Sequence, residues 1–224
     1  MITWAENIIH FYQNLQPPFH LPDDVEWLMP QTRVEVQNVQ KHFYSKFYND
    51  NNQRTLILGI NPGRFGAGAT GINFISARQL TDHFRIPHLL KLQSELSAEF
   101  IYEVIQAYGG SKKFYNHYFI SSVCPLGLVK QGKNINYYDD KKLLQAVEPF
   151  IISSIQKQLS FNVNRDKCIC IGGEKNYRNL SSFNQTYKFF RKIVPLQHPR
   201  FIMQYRRKQK QEFIDGYLQV LQNK

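Results

Sequence analysis

The sequence predicts an α/β protein, a three-layer α/β/α sandwich around a four-stranded parallel sheet. Four short runs of bulky or β-branched residues are followed by turn-forming residues, as expected of buried strands. Helical patterns lie between these runs, and such alternation is typical of a parallel sheet with helices on both faces. The chain has 224 residues and no Pro/Gly/Ser-rich linker. It is long enough for one sizeable core, so we expect a single domain over residues 1–224.

The four predicted strands are residues 55–60, 118–123, 167–171 and 192–196. The first three are uninterrupted runs, which is the pattern of strands covered on both faces. The fourth contains Pro195, which cannot donate to a ladder and therefore fits a strand end or an edge strand.

Apolar residues at helical spacing predict the helices of the core. The patterns cover residues 89–108, 143–155 and 213–221, with a shorter helix expected over 174–184. Pro149 lies inside the second pattern and predicts a kink there or the start of a new helix.

Residues 1–53 predict an N-terminal helical and loop segment packed on the α/β core. Helical segments are expected near 3–15 and 31–49. Residues 16–30 between them are Pro-rich and predict an irregular surface loop.

Composition limits the class of protein. The net charge is +11, and the last 39 residues hold nine bases and two acids. This charge indicates a polyanionic partner such as DNA, with ordinary surface lysines as the alternative. Three cysteines do not predict a disulfide framework or a four-cysteine cluster, so we expect an intracellular protein without metal or cofactor. No apolar run of about 18 residues is present, so we expect no membrane partner.

Ligands of open parallel sheets bind outside the carboxyl ends of the strands. The loop after the first predicted strand has the glycine spacing of a phosphate loop over residues 63–71, but Ala69 stands where that loop needs lysine. A phosphate- or nucleotide-binding enzyme using this loop is therefore an alternative that Ala69 disfavours.

The same loop supports a more specific interpretation. Residues 59–74 read G-I-N-P-G-R-F-G-A-G-A-T-G-I-N-F. They resemble the first motif of the single-strand-selective monofunctional uracil-DNA glycosylases, G-M-N-P-G-P-F-G-M-A-Q-T-G-V-P-F, at more than half of the positions. Residues 121–126 (S-S-V-C-P-L) resemble the family's H-N-L-C-P-L, and residues 198–200 (H-P-R) resemble its H-P-S-P-R with two residues missing. The chain is similar to a divergent branch of the uracil-DNA glycosylase superfamily.

This resemblance implies a monomeric DNA-repair enzyme that flips uracil out of single- or double-stranded DNA and hydrolyses its glycosidic bond. Such an enzyme works in the bacterial cytoplasm or the eukaryotic nucleus. Asn61 matches the residue that positions the attacking water, and His198 matches the donor to the departing base. Phe74 matches the aromatic residue that stacks on the base. The resemblance implies further base-binding residues at Ile60, Gly63, Phe65, Gly71 and Ser122.

Ser122 departs from the family pattern, which has an asparagine there to read the pyrimidine edge. A serine has one hydroxyl, so bidentate readout by this side chain is lost and other deaminated bases become candidate substrates. Arg200 matches the position of the wedge that fills the hole left by the flipped base, with Phe201 and Met203 as alternatives. The basic residues that follow are expected to bind phosphates: Arg206, Arg207, Lys208 and Lys210. A non-catalytic nucleic-acid-binding module on the same fold is a further alternative.

Overall fold

The computed structural model describes residues 2–223. Four parallel strands form the central sheet in the order β3-β2-β6-β7. They are β2 (Arg54–Gly59), β3 (Tyr118–Ser122), β6 (Val163–Ile171) and β7 (Lys192–Leu196). The predicted fold class is confirmed, and Pro195 lies in an edge strand, where a missing donor is tolerated.

Helices cover both faces of this sheet. In chain order they are α1 (Trp4–Gln13), α2 (Val34–Phe47), α3 (Ala67–Thr70), α4 (Ala77–Asp82), α5 (Leu96–Tyr108), α6 (Ser111–His117), α7 (Lys141–Leu159), α8 (Gly173–Tyr187), α9 (Pro199–Tyr205) and α10 (Lys210–Gln222). None of these helices is long and apolar enough to cross a membrane.

The helix predictions are corrected in two details: the helix ending at Tyr108 is shorter than its pattern, and Pro149 does not start a new helix. The pattern over 89–108 does not form one helix, because α5 begins only after Glu95, whose carboxylate accepts from the amides of Ser97 and Ala98. Leu89, which the prediction placed in that helix, is 93% exposed. Helix α7 runs without a break through Pro149. The carbonyl four residues earlier, at Gln145, has no helical donor because proline lacks an N–H, and Gln145 lies on the exposed side of the helix.

A second, small antiparallel sheet was not predicted. Strand β1 (Val25–Leu28) pairs with β4 (Gly127–Lys130), which pairs in turn with β5 (Lys133–Ile135). Residues 16–30 are therefore not wholly irregular. The two turn residues between β4 and β5, Gln131 and Gly132, both have positive φ, the conformation that closes tight hairpins.

One buried apolar cluster joins the N-terminal helices to the sheet. The Trp4 ring of α1 lies 5.5 Å from the Phe119 ring of β3. Arg54 is fully buried beside them, with both guanidinium nitrogens 2.8 Å from the Asp50 carboxylate. This bonded ion pair lowers the pKa of Asp50 through the hydrogen bonds from Arg54, despite partial burial. The N-terminal segment thus shares its core with the sheet that carries the site.

Candidate active site

The residues from the three motifs meet in one cavity of about 410 Å³ at the carboxyl end of the sheet. Strand β2 leads into one wall, the end of β3 supplies the floor, and the loop after β7 supplies the opposite wall. The predicted residues that line it are Ile60, Asn61, Gly63, Phe65, Phe74, Ser122, His198, Arg200 and Phe201. Residues far apart in the chain therefore share one concave site.

The Asn61 side chain is held at both ends of its amide. Its Nδ2 donates to the carbonyl of Ile135 at 3.1 Å, and its Oδ1 accepts from the amide of Tyr137 at 3.1 Å. A backbone carbonyl only accepts and a backbone N–H only donates, so these bonds fix which amide atom is which. One lone pair of Oδ1 and one hydrogen of Nδ2 are left for other partners.

The segment that holds Asn61 runs from Ile135, the last residue of β5, to Tyr137, and it is itself fastened to the sheet. The buried Tyr137 hydroxyl donates to Asn176 Oδ1 of α8 at 2.9 Å, and Asn176 Nδ2 lies 3.4 Å from the carbonyl of Gly59. The chain therefore closes a hydrogen-bonded loop from Gly59 through Asn176 and Tyr137 back to Asn61. The sequence analysis did not identify this segment as part of the site.

His198 is the residue immediately before helix α9, and its ring points into the cavity. Its Nδ1 accepts from the backbone amide of Arg200 at 3.0 Å. The proton of the neutral ring is therefore on Nε2, which is free to donate. Burial lowers the pKa of His198 to about 4, with a smaller contribution from the positive charge of Arg200. The imidazole is a neutral donor at neutral pH.

Phe74 forms the aromatic wall beside His198. The two ring centroids are 6.4 Å apart. Phe74 has φ +54°, an uncommon conformation for a bulky residue. Its ring lies against Gly59, where an added Cβ would come within 3.1 Å of Phe74 Cε2. Gly59 thus leaves the space that the ring occupies.

Ser122 lies at the end of β3 and is bonded to a residue that the sequence analysis did not name. Its Oγ donates to Asn73 Oδ1 at 2.7 Å, and Asn73 Nδ2 donates to the Tyr12 hydroxyl at 2.9 Å. Ser122 and Asn73 both line the cavity and are 3% and 6% exposed. The sequence does mark Asn73 as a departure from the related family, which has proline at this position. Ser122 is a second departure, because the family has asparagine there.

The 63–71 loop is not arranged as a phosphate cradle. The amides of Gly66 and Gly68 both donate to the carbonyl of Gly63, at 3.3 and 2.9 Å, so they are turned away from a ligand. Gly71 does not line the cavity. It ends helix α3 with φ +72°, where a Cβ would come within 2.6 Å of Val36, so its role is to let the loop pack on α2. These contacts argue against the nucleotide-binding alternative.

The three wedge candidates differ in their exposure. Arg200 is exposed at the cavity mouth, and Phe201 is partly exposed there. Met203 is 5% exposed and packs in the core. The proposal of Met203 as a wedge is wrong, because the buried face of α9 holds its side chain away from the surface.

The predicted phosphate-binding residues lie between α9 and α10 rather than on one helix. Arg206 follows α9, Arg207 and Lys208 belong to a short 3-10 turn, and Lys210 begins α10. The first three are exposed. Lys210 differs, because its Nζ lies 2.6 Å from a carboxylate oxygen of Glu103, which compensates its charge.

Additional side chains complete the cavity wall. Glu95, Asn134, Asn136, Gln204 and Tyr205 line it, and none was singled out from the sequence. Within residues 2–223 there is no group of three or more His, Cys, Asp or Glu side chains placed to hold a metal ion.

Comparisons with known proteins agree with this geometry. The family model described as Uracil DNA glycosylase superfamily matches residues 45–222. Among solved structures, the crystal structure of wild-type SMUG2 from Pedobacter heparinus is similar, with a TM-score of 0.96 and 44% sequence identity. The match covers 99% of this chain and 98% of that chain. No curated protein matches in a sequence comparison.

Proposed function

The chain belongs to the Uracil DNA glycosylase superfamily and is a monofunctional uracil-excising DNA-repair glycosylase, and on this premise we propose how its residues perform the excision. Asn61 directs the attacking water, His198 stabilises the departing base, and Phe74 stacks on the base in the cavity. The observation that carries this assignment is the meeting of these three side chains in one cavity of about 410 Å³. Family membership also removes the alternative of a non-catalytic module.

Asn61 acts by orientation rather than as a base. An amide is too weak a base to deprotonate water, but the free lone pair of Oδ1 can accept one hydrogen of a water molecule. The bonds to Ile135 and Tyr137 hold that lone pair in a fixed direction. A water held there is aimed at the sugar carbon as positive charge develops on the sugar, and such positioning lowers the barrier without proton abstraction.

His198 acts on the leaving group. As the glycosidic bond breaks, its electron pair moves onto the base, and negative charge accumulates on the base oxygens. The Nε2 proton of a neutral imidazole donates to one of these oxygens. One such donor in a site sheltered from water contributes about 3–4 kcal/mol to the transition state. The water oxygen becomes bonded to the sugar carbon, and its proton passes to solvent.

Two pairs of arginine and aromatic side chains flank the cavity mouth and support a DNA-binding face. The Arg64 guanidinium lies 5.1 Å from the ring centroid of Phe65, which is 48% exposed. The Arg206 guanidinium lies 5.6 Å from the ring centroid of Phe201. Aromatic rings and arginine planes bind nucleic-acid strands by stacking on bases and contacting phosphates. We place the bases next to the flipped one on these pairs.

Arg207 and Lys208 extend this face as phosphate contacts, and Arg200 or Phe201 fills the space left by the flipped base. All of these groups belong to one chain, which supports action as a monomer.

The three cysteines are unpaired and buried. This supports action in a reducing, intracellular compartment that contains DNA.

The test is single-turnover excision of uracil from single-stranded and double-stranded oligonucleotides, scored by alkaline cleavage of the abasic product. Asn61→Ala and His198→Ala are each expected to slow excision by roughly a hundredfold or more while DNA affinity changes little. Asn116→Ala is the matched control, because this amide is bonded to Asn52 at 2.8 Å and does not line the cavity; it should keep the wild-type rate. Wild-type rates in both Asn61→Ala and His198→Ala would refute the assignment.

A further inference from the structure

Asn73 and Ser122 together present a hydrogen-bonding edge to the cavity. Asn73 Nδ2 carries two hydrogens, of which one is donated to Tyr12. Ser122 Oγ gives its hydrogen to Asn73 Oδ1, so its lone pairs remain as acceptors. Within residues 2–223, no other protein group satisfies the second Nδ2 hydrogen or the Ser122 lone pairs. Asn73 and Ser122 both line the cavity, so one donor and one acceptor are left there for a ligand.

This donor–acceptor order matches the edge that deaminated bases share. Uracil, hypoxanthine and xanthine each carry a ring N–H beside a carbonyl oxygen. Cytosine and adenine carry a ring nitrogen acceptor beside an amino group, which is the opposite order. A site that donates from Asn73 and accepts at Ser122 pairs with the deaminated edge. It faces donor with donor and acceptor with acceptor when cytosine or adenine enters, and such mismatches are costly in a buried site. Guanine and thymine carry the same edge as the deaminated bases, so this pair separates the deaminated bases from cytosine and adenine only.

The Tyr12 hydroxyl is bonded to the side-chain amide of Asn73. Tyr12 is 4% exposed, and its ring stacks on Tyr44 at a centroid distance of 6.3 Å with an interplanar angle of 8°. Burial raises the pKa of Tyr12, so the hydroxyl keeps its proton at neutral pH. In the structure Tyr12 Oη accepts from Asn73 Nδ2, and Asn73 Oδ1 accepts from Ser122 Oγ.

Resting on the proposed function, we propose that Asn73 is the specificity-determining residue of this enzyme. It donates to the carbonyl oxygen of the flipped deaminated base while Ser122 accepts the adjacent ring N–H, and Tyr12 is the positioning residue for Asn73. The two positions together replace the single asparagine that the related family has at the position of Ser122.

The test compares Asn73→Asp, Ser122→Ala and Tyr12→Phe in single-turnover excision of uracil from a single-stranded oligonucleotide. Asn73→Asp keeps the acceptor for Ser122 but removes the donor, so excision should fall roughly tenfold to a hundredfold. Ser122→Ala removes only the hydroxyl oxygen and should also lower the rate. Tyr12→Phe should lower it by about fivefold, the scale of one hydrogen bond.

Two further measurements separate recognition from stability. Inhibition by free uracil should weaken in Asn73→Asp and Ser122→Ala relative to inhibition by free cytosine. Tyr12→Phe should have no additional effect in an Asn73→Leu background, because Tyr12 acts only through Asn73.

Tyr48→Phe is the matched control for Tyr12→Phe. It removes an equally buried hydroxyl that bonds the Tyr118 carbonyl at 3.2 Å, away from the cavity, and should leave the rate unchanged.

The outcomes are distinct. If the wild type releases no uracil, the proposed function fails. If the wild type releases uracil and Asn73→Asp does so within twofold of it, Asn73 does not read the base. Equal losses in Tyr12→Phe and Tyr48→Phe would reduce Tyr12 to a stabilising role and overturn its assignment as a positioning residue.

Discussion

The two hydrogen bonds on Asn61 predict a pH-dependent loss of stability in Asn61→Asp. The new carboxyl would keep the bond from the Tyr137 amide. Its other oxygen would face the Ile135 carbonyl at the present 3.1 Å, acceptor against acceptor. Only the protonated carboxyl can donate to that carbonyl, so its pKa should rise above the ordinary aspartate value of about 4.

The magnitude follows from the bond that is lost. A neutral hydrogen bond contributes about 1 kcal/mol, and leaving a partly buried acceptor without a donor costs about 1–3 kcal/mol. A group whose pKa is raised in the folded state stabilises the fold below its unfolded pKa, and that contribution disappears as pH rises through the folded pKa. Relative to the wild type, Asn61→Asp should therefore be about 1–3 kcal/mol less stable at pH 8 than near pH 4.

The assay is urea denaturation of the wild type and the variant at both pH values. Asn134→Asp is the matched control, because Asn134 lines the same cavity and its Oδ1 accepts from the Arg64 amide, while its nitrogen donates to no carbonyl of residues 2–223. The control should show no such pH dependence. A pH-independent Asn61→Asp, or an equal response in both variants, would refute the view that the Ile135 carbonyl requires a donor from position 61.

Three further predictions concern activity. Because the pKa of His198 is lowered to about 4, single-turnover excision should stay constant as pH falls through 6.5, the ordinary histidine value, and a rate change centred near 6.5 would contradict the neutral donor. Replacing Arg206, Arg207 and Lys208 by glutamine should weaken binding to all DNA sequences alike and flatten its salt dependence by up to about one log–log unit per contact. Lys210→Gln should change the salt slope less, since Glu103 already compensates that charge. The wild type should release hypoxanthine or xanthine as well as uracil, and Ser122→Asn, which crowds Asn73, should shift the rate ratio toward uracil by about 1–2 kcal/mol. A wild type confined to uracil, with an unchanged ratio in the variant, would show that the size of residue 122 does not set the base range.

The central sheet was predictable because its strands contain short runs of bulky or β-branched residues with local turn signals. The small sheet was not, since β1 is four residues long and pairs with β4 about a hundred residues later in the chain. The prediction wrongly placed Leu89 in a helix, because apolar spacing alone does not show where a helix begins. The helix begins after its capping residue, Glu95.

The reacting residues of the site were predictable from the sequence, whereas the residues that hold them in place were not. Asn61, Phe74 and His198 follow from motifs that stand at strand ends. Tyr137 holds Asn61 through its backbone amide, which leaves no side-chain signal in the sequence. Asn73 departs from the family motif, which is visible in the sequence. Its hydrogen bond with Ser122 is not, because it depends on both side chains lining the same cavity.

The attachment of Asn61 to Ile135 at the end of β5 and to Tyr137 just after it makes the enzyme sensitive to insertions in this segment. Ile135 offers a carbonyl and Tyr137 an amide, in the order that the two ends of the Asn61 amide require. An extra residue at the turn of Gln131 and Gly132 would lengthen the hairpin tip and leave this order intact. An extra residue between Ile135 and Tyr137 would separate the two contacts and release the amide that aims the water. Insertions only a few residues apart should therefore divide sharply into silent and inactivating classes.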